Sequence, residues 1–423
     1  MALTEPLARL LRGRLALPVV ASPLFIISNP ALVIAQCTAG VVGSFPALNA
    51  RPQEALSDWI TRIQDALADW DAHHPDRPAA PFAVNQIVHR SNARLEHDME
   101  VCVRHRVPIV ITSLGARPEV NQAVHSYGGV VLHDIINDTF ARKAVEKGAD
   151  GLVAVAAGAG GHAGVLSPFA LMQEIRAWFD GPVALSGAIA TGSAVLAAQA
   201  MGADLGYVGS AFIATEEANA DAAYKQAIVD GGADSIVYTN LVTGVHGNYL
   251  RPSLAAAGLD PDNLPVSDAS KMNFGGDKPK AWKDVWGSGQ GIGAVQAVVP
   301  TAALVSRMAG EYAAARARLA QPQPELMRPG TGTWTVELPG NLDEMIRADL
   351  AEGRHASADE MVRVALDQLR DSRAAAANQV RHAMGGAGDA ISTKEAGEAA
   401  MQELRDELTR IVNNDPQPDP QLR

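Results

Sequence analysis

Short apolar runs recur along the first half of the chain, each followed by a turn and then by a segment of helical periodicity. The runs lie at 17–21, 40–44, 82–85, 107–112, 129–133, 151–156, 182–186 and 205–209. Amphipathic stretches separate them, at 30–37, 52–70, 92–106, 118–126, 138–147, 168–179 and 193–201. A strand that is apolar nearly throughout is one buried on both faces, and its regular alternation with helices predicts a parallel sheet. Eight such units predict an α/β fold closed into a (β/α)8 TIM barrel, with an open doubly wound sheet as the alternative. The phrases Lys147-Gly148-Ala149-Asp150 and Met201-Gly202-Ala203-Asp204 repeat the same device. A glycine ends the helix and an aspartate turn enters the next strand.

The rhythm breaks at about 230–290, which is rich in Gly, Pro, Asn and Asp. An irregular insertion of that length in a compact domain predicts a lid, and its aromatic residues Tyr238, Tyr249, Phe274, Trp282 and Trp286 predict that it is ordered. Residues 293–319 read as a closing helix. The barrel domain is thus expected over 1–320, followed by a Pro-rich linker over 321–332. Beyond it, Trp334, Val336 and Leu338 alternate with Thr333, Thr335 and Glu337, as in a short strand with one apolar face. Helices are expected over 341–352 and 357–371, the second opened by a capping box of Ser357 and Glu360. Residues 373–423 read as an acidic tail, helical over 394–412 and disordered at its Pro-rich end.

Charge narrows the function classes. The formal net charge is −12, and residues 330–423 carry 17 acidic against 10 basic side chains. Such a chain is a poor match for non-specific nucleic-acid binding. The two cysteines, Cys37 and Cys102, are too few for a disulfide framework and read as small core residues, so a reducing cytoplasm is the expected compartment. The N-terminus lacks the order of a signal peptide, and no apolar run is long enough to span a membrane.

The chemistry concentrates after the apolar run 151–157, in Gly158-Ala159-Gly160-Gly161-His162-Ala163-Gly164. Glycines let a backbone approach a ligand, and the one ionisable side chain among them suits proton transfer. Read alone, the stretch is equally a tight turn with a solvated histidine. Two further glycine loops follow the seventh and eighth strands, Ser186-Gly187-Ala188-Ile189-Ala190-Thr191-Gly192 and Gly206-Tyr207-Val208-Gly209-Ser210. Barrels bind phosphate between these two loops, so the pattern points to a phosphate-bearing cofactor. Ala21-Ser22-Pro23 and Asn85-Gln86 close the first and third strands at the same mouth, where small residues and an amide could lie against a heteroaromatic ring. No cluster of Cys or His has metal-ligand spacing.

Residues from about 15 to 318 resemble the nitronate monooxygenase family, formerly called 2-nitropropane dioxygenases, which are FMN-dependent (β/α)8 proteins. The matching elements are Ala21-Ser22-Pro23, Ala83-Val84-Asn85, the stretch from Ala159 to Gly164, the loop from Ser186 to Gly192, Gly209-Ser210-Ala211-Phe212-Ile213-Ala214-Thr215 and Gly289-Gln290-Gly291. The resemblance implies that Asn85, Gly160, Gly161, Gly187, Gly209 and Ser210 hold FMN. It adds Ala21, Ser22, Pro23, His133, Ser186, Ala188 and Gln290 to the cofactor set. It also implies that His162 is the catalytic residue beside the flavin, taking a proton from a nitroalkane or stabilising the nitronate anion, with O2 completing the oxidation. His246 is a second-tier candidate for contact with substrate. The sequence departs from the family's pattern in places. Gly158 and Ala163 stand where an acid and an Arg are common, Val155 stands where a Gln is common, and His133 lies at a strand end where a Lys often sits. The lid around Thr243 to Tyr249 is absent from smaller members.

Residues 333–372 resemble the ribbon-helix-helix fold of antitoxins, a ribbon that pairs with its twin in a homodimer. The outward positions Thr333, Thr335 and Glu337 include no basic residue, and nine acids face four arginines over 333–372, so dimerisation is expected in place of DNA binding. Two alternatives accompany the nitronate reading. One is an NAD(P)H-dependent flavin reductase of quinones or enoyl thioesters. The other is a flavin-barrel scaffold or regulator assembled through the C-terminal module.

Overall fold

The computed structural model describes residues 5–265 and 284–320, with isolated positions between 347 and 364. The chain divides into two compact units, Met1–Gln323 and Pro324–Arg423. The first holds eleven strands among its described residues: β1 (Val19–Ala21), β2 (Gly43–Pro46), β3 (Phe82–Ile87), β4 (Ile109–Ser113), β5 (Val130–Ile135), β6 (Gly151–Val155), β7 (Gly161–His162), β8 (Val183–Ser186), β9 (Leu205–Val208), β10 (Ile236–Thr239) and β11 (Gly247–Leu250). Its helices are α1 (Glu5–Leu11), α2 (Pro30–Ala39), α3 (Ala55–His73), α4 (Leu95–Arg104), α5 (Pro118–His125), α6 (Asp138–Glu146), α7 (Pro168–Arg176), α8 (Gly192–Ala200), α9 (Ser210–Ile213), α10 (Ala222–Asp230), α11 (Arg251–Ala256) and α12 (Thr301–Ala320).

Each of the eight apolar runs forms a strand of one parallel sheet, ordered β1-β9-β8-β6-β5-β4-β3-β2. The two ends meet through a parallel bridge between Val20 and Val42. There the Ala21 N–H donates to the Val42 carbonyl (2.8 Å) and the Val42 N–H to the Val19 carbonyl (3.0 Å). The sheet is therefore closed as a (β/α)8 barrel, and the open alternative falls. Strand alternation puts every second side chain inside. Val20, Val42, Ala83, Ile111, Leu132, Val153, Ala184 and Leu205 share the interior cluster with Leu7 and Leu11 of α1, which plugs the N-terminal end.

The αβ turns carry the expected chemistry. Asp204 receives the Val183 N–H (2.8 Å) and the Arg176 guanidinium (2.7 Å). Arg176 also donates to the carbonyls of Gly202, Phe179 and Gly181, so a nearly buried ion pair staples α7 to two strand entries. Asp150 repeats the pattern more openly, accepting from the Val131 N–H (2.7 Å) and pairing with His125.

The insertion is more regular than its composition predicts. β10 and β11 form an antiparallel hairpin, β11 pairs on its other edge with β7, and α11 follows. The short strands escape a periodicity reading because Gly247 and Asn248, poor strand formers, take their place through pairing. Tyr249 is fully buried. Trp286 stacks on Tyr224 with ring centroids 4.9 Å apart. Phe274 and Trp282 lie outside the described residues, as does nearly all of the expected ribbon-helix-helix module. Of that module, the Glu360 N–H donating to the Ser357 hydroxyl (3.2 Å) is one half of the capping box. No helix among the described residues is long and apolar enough to cross a membrane.

Candidate active site

The site is built by extending each interior position two residues toward the C-terminal end of its strand, which keeps the side chain on the inner face. The next layer is Ser22, Ser44, Asn85, Ser113, Asp134, Val155, Ser186 and Tyr207. An apolar interior thus ends in a ring of seven polar residues and one valine at the mouth.

The ring is hydrogen-bonded within itself. Asn85 Nδ2 donates to the Ile111 carbonyl (3.1 Å) and to Ser113 Oγ (2.8 Å). The Ser113 hydroxyl and the Leu114 N–H in turn serve the Asp134 carboxyl. The Tyr207 hydroxyl bonds to the Ser22 side chain. Enclosure raises the Asp134 pKa from 3.8 to about 6, against the opposing pull of those two donors. Burial, with Asp134 beside it, pushes the Tyr207 phenol up as well. Neither residue was singled out by the sequence reading. The signal was available, since Asp134 continues the inward series Val130 and Leu132 at a period of two.

The same period corrects His133. It shares the outward face of β5 with Val131, which packs in the outer cluster with Val84 and Val110. Its Nδ1 lies 2.6 Å from Thr112 Oγ1 on the neighbouring strand, and burial pushes its pKa down to about 4. His133 is a neutral residue between sheet and helices, turned away from the mouth where the cofactor was expected. Gln86 is likewise turned outward, with Nε2 3.3 Å from Cys102 Sγ.

Four loops converge over the ring. The Gly158 carbonyl accepts from the Ala188 N–H (3.2 Å) and the Gln290 N–H (2.9 Å). Ser210 Oγ accepts from the Gly289 N–H (2.8 Å). A Cβ on Gly160 would stand 2.8 Å from the Gly289 nitrogen and 3.2 Å from Ser210 Oγ, so this glycine is required by loop packing. Gly187 (φ +143°) and Ala188 (φ +56°) turn the chain sharply after β8. Across the mouth the Ser22 N–H donates to the Val208 carbonyl (2.8 Å), and a Cβ on Gly209 would stand 3.4 Å from Ser22 Cβ. Ala21-Ser22-Pro23 therefore runs beside Gly209-Ser210. The N-terminus of α8 is not part of the mouth, because Gly192 N–H donates to Glu311 of α12 (2.8 Å) and Thr191 caps Ala194 N–H (3.2 Å).

His162 sits on β7, paired with Gly247 of β11. Its Nε2 lies 3.0 Å from Thr243 Oγ1. Burial lowers its pKa below the ordinary 6.5, favouring the neutral ring. The insertion fastens the turn on both sides of it: Asn248 Nδ2 donates to the Ala159 carbonyl (2.6 Å), the Ala163 N–H to the His246 carbonyl (3.3 Å), and the Tyr238 hydroxyl to the Ala163 carbonyl (3.0 Å). The His246 ring is exposed and stacks on Tyr238 at 5.1 Å. Thr243 and Asn248 thus join the site although sequence reasoning passed over both as turn residues.

A family model for nitronate monooxygenase matches residues 12–256. The chain belongs to the nitronate monooxygenase family. It is an oxidoreductase of a family of flavin enzymes. It is 28% identical to the nitronate monooxygenase of Paraburkholderia phytofirmans over 278 residues, covering 58% of this chain and 76% of that one. A nitronate monooxygenase of Pseudomonas aeruginosa is 27% identical, over 60% of this chain and 84% of its own. A carboxyl-CoA dehydrogenase of Rhodococcus jostii acting on a hydroxy-methyl-oxo-octahydroindene is 26% identical, over 57% and 68%. Among solved structures, FabK of Thermotoga maritima matches 75% of this chain and 99% of its own at a TM-score of 0.60 and 20% identity. The nitroalkane oxidase of Streptomyces ansochromogenes matches 75% and 100% at 0.59 and 22%. Both structures share the barrel fold.

Proposed function

We propose that the chain oxidises alkyl nitronates or nitroalkanes with O2, using FMN held at the C-terminal mouth of the barrel and His162 as its proton-handling group. The observation that carries this reading is the joining of one imidazole to the flavin-family loops. His162 is fixed within the same turn whose Gly158 carbonyl binds both Ala188 and Gln290.

The residues present fit such a cofactor. The Ala188 N–H is spent on Gly158, and the backbone of Gly187 and Gly209-Ser210 flanks the mouth after β8 and β9 and suits a phosphate monoester. Ala21, Ser22 and Pro23 offer a surface of small side chains for a flat ring. Asn85 spends its Nδ2 on Ile111 and Ser113, which directs its Oδ1 as an acceptor toward a ring N–H. Ser186 and Asp134 complete the polar floor. When bound, FMN supplies the two-electron chemistry. The chain's own residues bind it, keep water from the floor and move the proton. A nitroalkane is acidic at its α-carbon, and a buried neutral imidazole is a competent base there; once protonated, it stabilises the nitronate oxygens. A substrate already present as the nitronate needs only the second role. Two free, buried thiols suit a reducing cytoplasm, and the second unit remains the module proposed to pair two chains.

The test is His162→Asn on flavin-loaded protein. Turnover of the neutral nitroalkane should fall about 10²–10⁴-fold with flavin still bound, and turnover of the preformed nitronate should fall less. Full turnover on both would remove His162 from the mechanism. Reduction of the bound flavin by NADH, with none by a nitronate, would favour the reductase reading suggested by the Rhodococcus relative's dehydrogenase activity.

A further inference from the structure

We propose that Thr243, from the turn between β10 and β11, is a positioning residue for His162, its hydroxyl keeping the imidazole hydrogen-bonded in both protonation states. This rests on His162 being the proton-handling group. The argument begins with the hydroxyl's inventory. Thr243 Oγ1 lies 3.0 Å from His162 Nε2 and 3.0 Å from the Val245 carbonyl oxygen, accepts the Val245 N–H at 3.3 Å, and faces the Tyr249 phenol. A hydroxyl has one proton and two lone pairs. For the ring to act as a base toward substrate, Nε2 carries its one proton in the neutral state, the Nε2–H donates to Oγ1, and the hydroxyl proton goes to the Val245 carbonyl. Nδ1 is then the basic nitrogen that takes the substrate proton, and the Nε2–H bond to Oγ1 stays in place in the imidazolium. The imidazole is bonded either way, with no rotation of the hydroxyl.

The backbone holds this pair in register. Gly247 pairs with His162 and Asn248 with Gly161, so β11 carries the turn bearing Thr243 to a fixed place beside β7. Gly244, at φ +82°, closes that turn with its N–H on the Asn240 carbonyl (2.8 Å). Among the described residues, the titratable side chains on elements packed against β7 are Tyr238 on β10, His246 in the turn and Tyr249 on β11. Tyr238 and His246 stack on one another, and Tyr249 reaches Thr243. Because burial disfavours the imidazolium, an acceptor for its N–H matters most in the charged state. Loss of that acceptor lowers the imidazole pKa further.

The experiment compares Thr243→Val, Thr243→Ser and wild type as flavin-loaded full-length protein. The readouts are the His162 ring titration by NMR and the pH profile of kcat/KM on a neutral nitroalkane. Thr243→Val should move the ring titration down by about one pH unit, as loss of a hydrogen bond to a charged group does. It should lower kcat about tenfold with KM little changed, and Thr243→Ser should restore both. Thr243→Ala removes the hydroxyl without demanding room for a second methyl and gives the same readings should valine misfold. Wild-type titration in both Thr243→Val and Thr243→Ala, or a serine variant as impaired as valine, overturns the proposal. A shifted titration with no nitroalkane turnover in any protein upholds the Thr243–His162 link and removes the nitroalkane reading instead.

Discussion

Replacing Asp134 with asparagine should stabilise the barrel, and by an amount that depends on pH. The carboxyl stands in the polar ring at the floor of the mouth, and enclosure raises its pKa from 3.8 to about 6. The folded protein therefore binds this proton more tightly than the unfolded chain does. The unfavourable contribution of Asp134 is absent below pH 4, grows as pH rises from 4 to 6, and is complete above 6. The distance from 3.8 to about 6 corresponds to about 3 kcal/mol at 1.36 kcal/mol per pH unit. Asparagine has no proton to lose, and its carbonyl oxygen can keep the Ser113 and Leu114 donors. Asp134→Asn should thus gain up to about 3 kcal/mol at pH 8 and about half of that at pH 5. Urea unfolding of the flavin-free proteins at the two pH values measures the difference without a contribution from bound ligand. An equal change at both pH values, or a loss at pH 8, would refute the enclosed-acid account of Asp134.

Other consequences can be read from single contacts. Arg176→Met should cost about 3–5 kcal/mol, because it strands the Asp204 carboxylate, itself 13% exposed, once the 8%-exposed Arg176 is gone; thermal unfolding reports it, and a change near zero would show that the Val183 N–H alone suffices. Burial pushes both Cys37 and Cys102 up to about 12. Neither thiol should react with a disulfide reagent at pH 8 until the protein is unfolded, and fast labelling of the native protein would contradict their placement. Gly160→Ala forces a Cβ against Gly289 and Ser210. It should cost about 1–3 kcal/mol of strain and release flavin more readily, read as the flavin retained through gel filtration; unchanged retention would mean that the turn and the 288–290 loop act independently.

The eight strands were legible because parallel barrel strands are apolar on both faces and their periodicity is undiluted. The glycine–histidine turn was legible because five special residues in seven leave little else to be said of it. What escaped was direction. His133 and Asp134 are adjacent, and only the strand's phase decides which one enters the mouth; the inward series Val130, Leu132, Asp134 carries that phase, but a search for strand-end donors overlooks it. The glycine loop 186–192 points in sequence to a phosphate, and it ends at the α8 N-terminus. That N-terminus is occupied by Glu311, from a helix more than a hundred residues later, a contact that no local pattern announces. An ordered insertion was expected; its hairpin and its pairing with β7 escaped for a similar reason. Thr243, Gly247 and Asn248 are turn-forming residues by composition, and pairing with β7 gives them their role.

The central claim is a flavin at this mouth that takes electrons from a nitronate. It is tested most directly by mixing FMN-loaded protein with an alkyl nitronate in the absence of oxygen and following the visible flavin band. The account predicts that the band bleaches and returns when air is admitted. A protein that takes up no FMN, or whose bound flavin keeps its colour with every nitronate offered, would contradict it.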